Sequence, residues 1–139
     1  MKKTDILDVV SRKLAPYIMI FGLYLITYGH LSPGGGFQGG VVLASGIILL
    51  LLCRGSSNVK LLFPLKTVTL TEALGFLGFL VMGIAGLIAG TGYLSNFLPV
   101  GREGEVAGAG FIFLLNIIIG LKVGAGITII CFYLLEEEE

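Results

Sequence analysis

The sequence has few charged residues and few of the residue types that enzymes and metal sites use. Only 13% of its 139 residues are charged, against about 25% in an ordinary soluble domain. Cys53 and Cys131 lie far apart, with no C-x-x-C motif and no histidine at metal-ligand spacing, so we expect no metal site. No nucleophile–base pair or cofactor motif is present, and we therefore expect neither an enzyme nor a bound cofactor.

Basic residues form no cluster interleaved with aromatic side chains, so nucleic-acid binding has no support. Four of them, Lys2, Lys3, Arg12 and Lys13, lie near the start, and four glutamates at 136–139 end the sequence. The opening Met-Lys-Lys is compatible with a signal peptide, but no A-x-A-type cleavage site follows the first apolar run. We interpret that run as a retained membrane span.

Apolar residues dominate what is present. They make up 55% of the chain, and the mean hydropathy is +0.99. The long apolar runs, which indicate a polytopic membrane protein, cover 14–31, 37–53, 70–94 and 106–135. The last would measure about 45 Å as one helix and must tilt, break or project beyond the bilayer, with the break predicted at 106–110. We predict one all-α integral membrane domain, 1–139, with four spans.

The distribution of lysine and arginine predicts the orientation. The N-terminal segment carries four, residues 54–66 carry three, and the third loop carries only Arg102. Because cytoplasmic loops carry an excess of these residues, both termini are predicted to be cytoplasmic.

The glycine-rich stretch HLSPGGGFQGG separates the first two spans. Gly34, Gly36 and Gly39 match G-x-G-x-x-G, but no acidic residue lies between Asp8 and Glu72. A dinucleotide site needs such a residue about 20 positions on, and a P-loop needs Gly-Lys-Ser/Thr. The match to a phosphate-binding loop is therefore accidental.

A tight outer hairpin explains the glycines better. Pro33 disfavours helical geometry just before it, and glycines let a chain reverse within a few residues. Gly36 and Gly40 also form a small-xxx-small step for close helix packing. The predicted hairpin residues are Pro33, Gly34, Gly35, Gly36, Gln38, Gly39 and Gly40. The alternative is that His30, Ser32 and Gln38 do polar work at a water-filled surface.

Two charged residues fall inside apolar runs. Thr69 and Glu72 form T-x-x-E, a capping box that predicts the start of the third helix and explains Glu72 without a transport role. Lys122 lies near the centre of the fourth run, where a lysine costs at least about 2.5 to 3.5 kcal/mol and should face protein or water. No carboxylate of this chain is obviously placed to pair with it, so its partner is expected in another subunit. Lys122 then either influences an ion path or serves assembly alone.

Helical periodicity gives the fourth run a second polar face. A ridge that recurs every four residues, suited to close packing, consists of Asn116, Gly120, Gly124 and Thr128. Lys122 lies about 200° around the helical wheel from Gly120 and Gly124. Two faces that avoid lipid suggest a helix wedged inside a larger assembly, and a Gly86-xxx-Gly90 step in the third run points the same way.

The stretch GHLSPGGGFQGG at 29–40 resembles the hallmark hairpin of the MnhB/MrpB family, small membrane subunits of multi-subunit Na⁺/H⁺ antiporters. The cationic middle loop, the apolar third run and Gly-Ile-Thr-Ile-Ile at 126–130 agree in layout. The resemblance covers essentially the whole chain. It implies an accessory subunit in a prokaryotic cell membrane, with other membrane subunits and the lipid bilayer as partners and Na⁺ and H⁺ as transported ions. We select as ion-pathway candidates Lys122, His30, Glu72, Asn116 and Thr128.

Residues 116–122 depart from the family pattern, because stand-alone antiporter members tend to have an acidic residue and no cation there. Related subunits also occur in membrane-bound hydrogenase or sulfur-reducing respiratory complexes, which keeps that alternative open. A purely structural assembly subunit and a small homo-oligomeric transporter are further alternatives.

Overall fold

The structure is a computed structural model that describes residues 5–31, 33–96, 98 and 110–136. In that part of the chain every regular element is a helix. The helices are α1 (Asp5–Tyr28), α2 (Gly36–Arg54), α3 (Ser56–Leu62), α4 (Leu65–Ile88) and α5 (Phe111–Glu136). All except α3 are long and apolar enough to cross a membrane. The predicted all-α architecture with four candidate spans is therefore confirmed.

The third membrane helix, α4, begins and ends earlier than the predicted span of 70–94. Pro64 occupies its N-cap position, where a missing N–H group costs little because the first amides of a helix have no intrahelical partner. At the other end Gly90 adopts a φ of 75°, and the N–H groups of Gly90 and Thr91 bond to carbonyls of the last turn at 3.0 and 3.2 Å. This Schellman arrangement terminates the helix.

The remaining helices differ from the predicted runs at their ends. α1 already includes Asp5, the first described residue, well before residue 14, and Arg12 donates a hydrogen bond to Asp8, one turn before it. α5 begins at Phe111; of the predicted break, residues 106–109 lie outside the described residues. The short helix α3 lies where a cationic loop was predicted, with Val59 fully buried.

The helices pack in the order α1, α2, α5, α4, so that α5 separates α2 from α4. Gly22 faces Gly39 and Gly46 faces Ala15, which makes α1 and α2 antiparallel. α2 and α5 run parallel, and α4 runs antiparallel to α5, with Gly75 facing Lys122. The main buried cluster lies near the ends of α2 and α5 and consists of Ala15, Leu50, Leu51, Val59 and Phe132.

Ion pairs gather several chain segments at one end of the bundle. Asp8 near the start of α1 pairs with Arg54 at the end of α2, at 3.1 Å. Lys60 of α3 pairs with Glu136 at the end of α5, at 2.5 Å. The described beginning and end of the chain therefore lie on the same side of the bundle, together with the segment that joins α2 to α4.

Candidate functional site: an ion pair between two membrane helices

Lys122 of α5 pairs with Glu72 of α4, with 3.2 Å between its Nζ and the carboxylate Oε1. The expectation that the partner of Lys122 belongs to another subunit is therefore wrong. The predicted capping box at Thr69 is also wrong, because α4 begins before Thr69. Since α4 already begins at Leu65, Thr69 and Glu72 lie inside the helix, and the Glu72 carboxylate is directed to the neighbouring helix instead of back to its own amides.

Glycines beside the two charged residues allow the pair to form. A Cβ on Gly75, one turn after Glu72, would lie 2.9 Å from the Cβ of Lys122. A Cβ on Gly126, one turn after Lys122, would lie 3.8 Å from the Cγ of Glu72. The backbones of α4 and α5 therefore approach closely, as small residues permit in membrane helix packing. Gly75 and Gly126 were not among the predicted site residues; their signal in the sequence is a small residue one turn beyond each charge.

Lys122 lies deep along its helix. Lys122 is about 17 Å along α5 from Phe111 and about 21 Å from Glu136, at 1.5 Å per residue. A lysine stem of four methylene groups does not reach either helix end from there, so the ammonium cannot snorkel to an interface. The ring of Phe76 lies beside it, with 5.6 Å between the ring centroid and Nζ. Charges at this depth are rare and mark ion pathways or pairs that replace hydration.

One flank of the pair is open. The side chains of Glu72 and Lys122 are 34% and 35% exposed, and α1 and α2 cannot cover them because α2 packs on the opposite face of α5, at Gly120 and Gly124. In the described part of the chain, Glu72 is the only acidic residue within ion-pair distance of Lys122. The site is thus a paired cation and anion with one side exposed on this subunit.

The predicted ridge on α5 serves contact with the chain's own α2. A Cβ on Gly40 would lie 2.5 Å from the carbonyl oxygen of Gly120 and 3.1 Å from the amide nitrogen of Gly124. A Cβ on Gly36 would likewise overlap the backbone of Asn116. One of the two lipid-avoiding faces of α5 is therefore occupied within this subunit.

The polar members of that ridge bond within the bundle. Asn116 accepts a hydrogen bond at its Oδ1 from the amide of Gly36, at 3.4 Å. Thr128 is fully buried, and its hydroxyl donates to the carbonyl of Gly124 at 2.7 Å. Both side chains lie about 120° around α5 from Lys122 at 100° per residue, and the structure does not bring them together with Glu72 and Lys122.

The predicted hairpin residues lie at the other end of the bundle from the chain's described beginning and end. α1 ends at Tyr28, and His30 contacts Phe113 edge-on, with 6.2 Å between ring centroids. Phe113 is about 14 Å along α5 from Lys122, so His30 is remote from the ion pair.

In the turn between α1 and α2, Gly34 adopts a φ of 146°, a conformation that favours glycine. Gly35 precedes α2, Pro33 and Gln38 are exposed, and Ser32 lies outside the described residues.

The predicted Gly86-xxx-Gly90 packing step is wrong. Gly90 lies beyond the end of α4, with no atom within 4 Å of a Cβ built on it. Gly86 packs against the carbonyl oxygen of Gly92, 2.5 Å from its Cβ position. The chain's own turn therefore uses this glycine.

The described residues hold no group of three or more histidine, cysteine, aspartate or glutamate side chains that could bind a metal ion. Four membrane-length helices with a charged pair between two of them define a multi-pass integral membrane protein. Comparison with known proteins then gives the family. Residues 6–129 match the model of the domain related to the MnhB subunit of Na⁺/H⁺ antiporters. The chain belongs to the MnhB family, as the glycine-rich stretch predicts.

Individual relatives agree with this assignment. The chain is 33% identical to the B subunit of a Na⁺/H⁺ antiporter from Bacillus subtilis over 144 residues, which cover 99% of this chain and 97% of that protein. It is 32% identical to the corresponding antiporter protein of Alkalihalophilus pseudofirmus over 115 residues, 78% of this chain and 79% of that one. An uncharacterized protein of Methanocaldococcus jannaschii is 38% identical over 94% of this chain. This chain spans only 52% of the length of that protein. The family and the apolar helices make this a multi-pass protein of the cell membrane.

Proposed function

We propose that this chain is an accessory subunit of a Na⁺/H⁺ antiporter and works beside other membrane subunits. The relatives named as antiporter subunits, one of which matches nearly the whole length of both chains, support the class. The observation that carries the functional part of the proposal is the Glu72–Lys122 pair, which joins two membrane helices at 3.2 Å.

The proposal assigns this chain a supporting role in transport. Exchange of ions between two sides requires a succession of groups that bind and release charge. Within the described membrane helices, away from their charged ends, the acidic and basic side chains are Glu72 and Lys122, and these two neutralise each other. His30 lies remote from them. The chain therefore lines or braces a path whose main proton carriers belong to other subunits.

The pair gives this supporting role a definite chemistry. A cation or a proton that approaches Glu72 competes with the Lys122 ammonium for the same carboxylate oxygens. Occupation of Glu72 thus displaces Lys122, and departure of the ion restores the pair at its original distance. Because electrostatic interactions are strong away from bulk water, the position of Lys122 would report ion occupancy to neighbouring groups.

The orientation is part of the same proposal. Apart from Lys122, the basic residues of the described chain lie in the segments that form one end of the bundle. They are Arg12, Lys13, Arg54, Lys60 and Lys66. By the positive-inside rule that end is cytoplasmic. The chain then begins and ends in the cytoplasm, and the glycine-rich turn between α1 and α2 faces outward.

Antiport by the intact complex tests the role of the pair. The complex is purified through a tag on this subunit, reconstituted in vesicles, and assayed for Na⁺-driven proton movement with a pH-sensitive dye. Glu72→Gln and Lys122→Met each keep the shape of the side chain and remove one charge, and we expect both to slow exchange sharply in assembled complexes. Leu74→Met is the control on the same helix. Normal assembly and full exchange in both variants would refute a role in the ion path.

A further inference from the structure

The open side of the ion pair forms one continuous surface along the seam between α4 and α5. On α4, positions Thr69, Glu72 and Phe76 follow each other at helical spacing, so they share one face. On α5, Lys122 and Tyr133 lie about 20° apart on the helical wheel at 100° per residue. We call this surface, formed by Thr69, Glu72, Phe76, Lys122 and Tyr133, the pair flank.

The pair flank lacks a covering layer. Phe76 is 52% exposed, and the two charged side chains are each about one-third exposed. Toward the charged end of the bundle, a groove of about 440 Å³ lies between α4 and α5; Thr69 and Tyr133 of the pair flank line it, and Glu72, Phe76 and Lys122 do not. The pair flank is therefore elongated along the helices and borders a groove at its Thr69 and Tyr133 end.

Lipid does not satisfy this surface. An ammonium carries three N–H donors, and a carboxylate has about four acceptor positions. The single contact between Lys122 and Glu72 leaves most of these donors and acceptors unused. Acyl chains have no hydrogen-bonding groups, and a polar group that faces them without a partner is costly. Since Lys122 cannot reach an interface, protein or protein-bound water must supply the missing contacts.

The charge of the flank restricts the partner. Glu72 and Lys122 sum to zero, so a permanent third charge on the docked partner would remain uncompensated in a medium that penalises charge strongly, whereas a transported ion enters and leaves. We propose that the pair flank docks a transmembrane helix of another subunit, and that this helix presents a neutral hydrogen-bonding side chain, such as serine, threonine, asparagine or neutral histidine, to the pair. The inference rests on the proposed function, because it takes the chain to act within a multi-subunit complex.

Photo-crosslinking in the intact complex tests this docking. Phe76→p-benzoylphenylalanine places a photoreactive group on the pair flank, and Thr69→p-benzoylphenylalanine places a second one there in case the first variant fails to assemble. Leu74→p-benzoylphenylalanine is the matched control, because Leu74 is 56% exposed and lies about 160° around α4 from Phe76 at 100° per residue. Products are identified by mass spectrometry of the purified complex.

We expect both flank variants to crosslink to a transmembrane segment of another subunit that has a neutral hydrogen-bonding residue within one turn, and the control to yield no protein product. Lipid adducts alone, a product with a second copy of this chain, or a protein product from Leu74 only would overturn the inference. The result is independent of the transport assay. Flank crosslinks together with full antiport in both Glu72→Gln and Lys122→Met would reject the ion-path role and leave the docking surface in place.

Discussion

A single methyl group at Gly75 tests whether close approach of α4 and α5 builds the ion pair. A Cβ at this position would lie 2.9 Å from the Lys122 Cβ and 3.3 Å from its Cα. Ordinary carbon–carbon contacts are about 3.5 to 4.0 Å. Because the atoms in the way belong to the stem of Lys122 and not to a mobile side-chain end, Gly75→Ala must move the two helices apart.

The size of the effect follows from two opposing terms. Overpacking costs typically about 1 to 3 kcal/mol, and alanine in a helix interior is favoured over glycine by about 1 kcal/mol. Gly75→Ala should therefore destabilise the subunit, at a net cost of roughly 0 to 2 kcal/mol. Gly78→Ala is the matched control, because its Cβ would lie 3.7 Å from Ile118, which is ordinary contact. Gly78→Ala keeps the gain in helix propensity and avoids the steric clash, so the stabilities of the two variants should differ by about 1 to 3 kcal/mol.

The assay is unfolding of this subunit within the purified complex by SDS titration in mixed micelles, with antiport measured in parallel. We expect Gly75→Ala to unfold at lower SDS than Gly78→Ala and to exchange ions more slowly, since separation of the helices lengthens the contact between Glu72 and Lys122. Equal stability and equal antiport in the two variants would refute the reasoning.

Two further substitutions separate the ion pair from contacts that the account treats as structural. Thr128→Val removes a hydroxyl that is fully buried and bonded to its own helix. We expect the subunit to lose about 1 kcal/mol of stability or less and antiport to stay unchanged. A sharp drop in antiport at normal complex yield would place Thr128 on the ion path after all. Lys60→Ala breaks the pair with Glu136, whose side chains are 31% and 48% exposed. Exposed pairs contribute about 0 to 1 kcal/mol, so the amount of complex in the membrane should stay the same, and its disappearance would contradict this estimate.

Much of the fold could be predicted from the sequence because hydrophobic length and small-residue spacing act locally. The four apolar runs correspond to the four membrane-length helices. The period-four ridge from Asn116 to Thr128 predicted a packing face, and Gly36 and Gly40 predicted a matching step on the second helix. The pattern could not say that these two faces meet each other, since a ridge suited to close packing fits any neighbouring backbone.

The ion pair could not be predicted because it depends on where α4 begins. The T-x-x-E pattern at Thr69 and Glu72 offered an explanation for Glu72 that removed it from consideration as a partner. Pro64 carried the better signal, since a proline is compatible with a helix start a few residues before the apolar run. With α4 beginning at Leu65, Glu72 lies in the helix interior, and only the tertiary packing around Gly75 decides that it meets Lys122.

The same limit explains the error at the end of α4. Gly86-xxx-Gly90 has the spacing of a packing step, but Gly90 adopts a positive φ that ends the helix. Glycine fits both roles, and its spacing alone does not distinguish them. The turn that follows then covers Gly86 with the chain's own backbone.

Charge reversal tests most directly whether Glu72 and Lys122 face each other in the native complex. Glu72→Lys places two ammonium groups at the seam, and Lys122→Glu places two carboxylates there, so each variant alone should lower the amount of assembled complex in the membrane. The double variant restores one charge of each sign at the same two positions. We expect the double variant to recover assembly well above either single variant, and a double variant no better than the weaker single one would show that Glu72 and Lys122 do not pair.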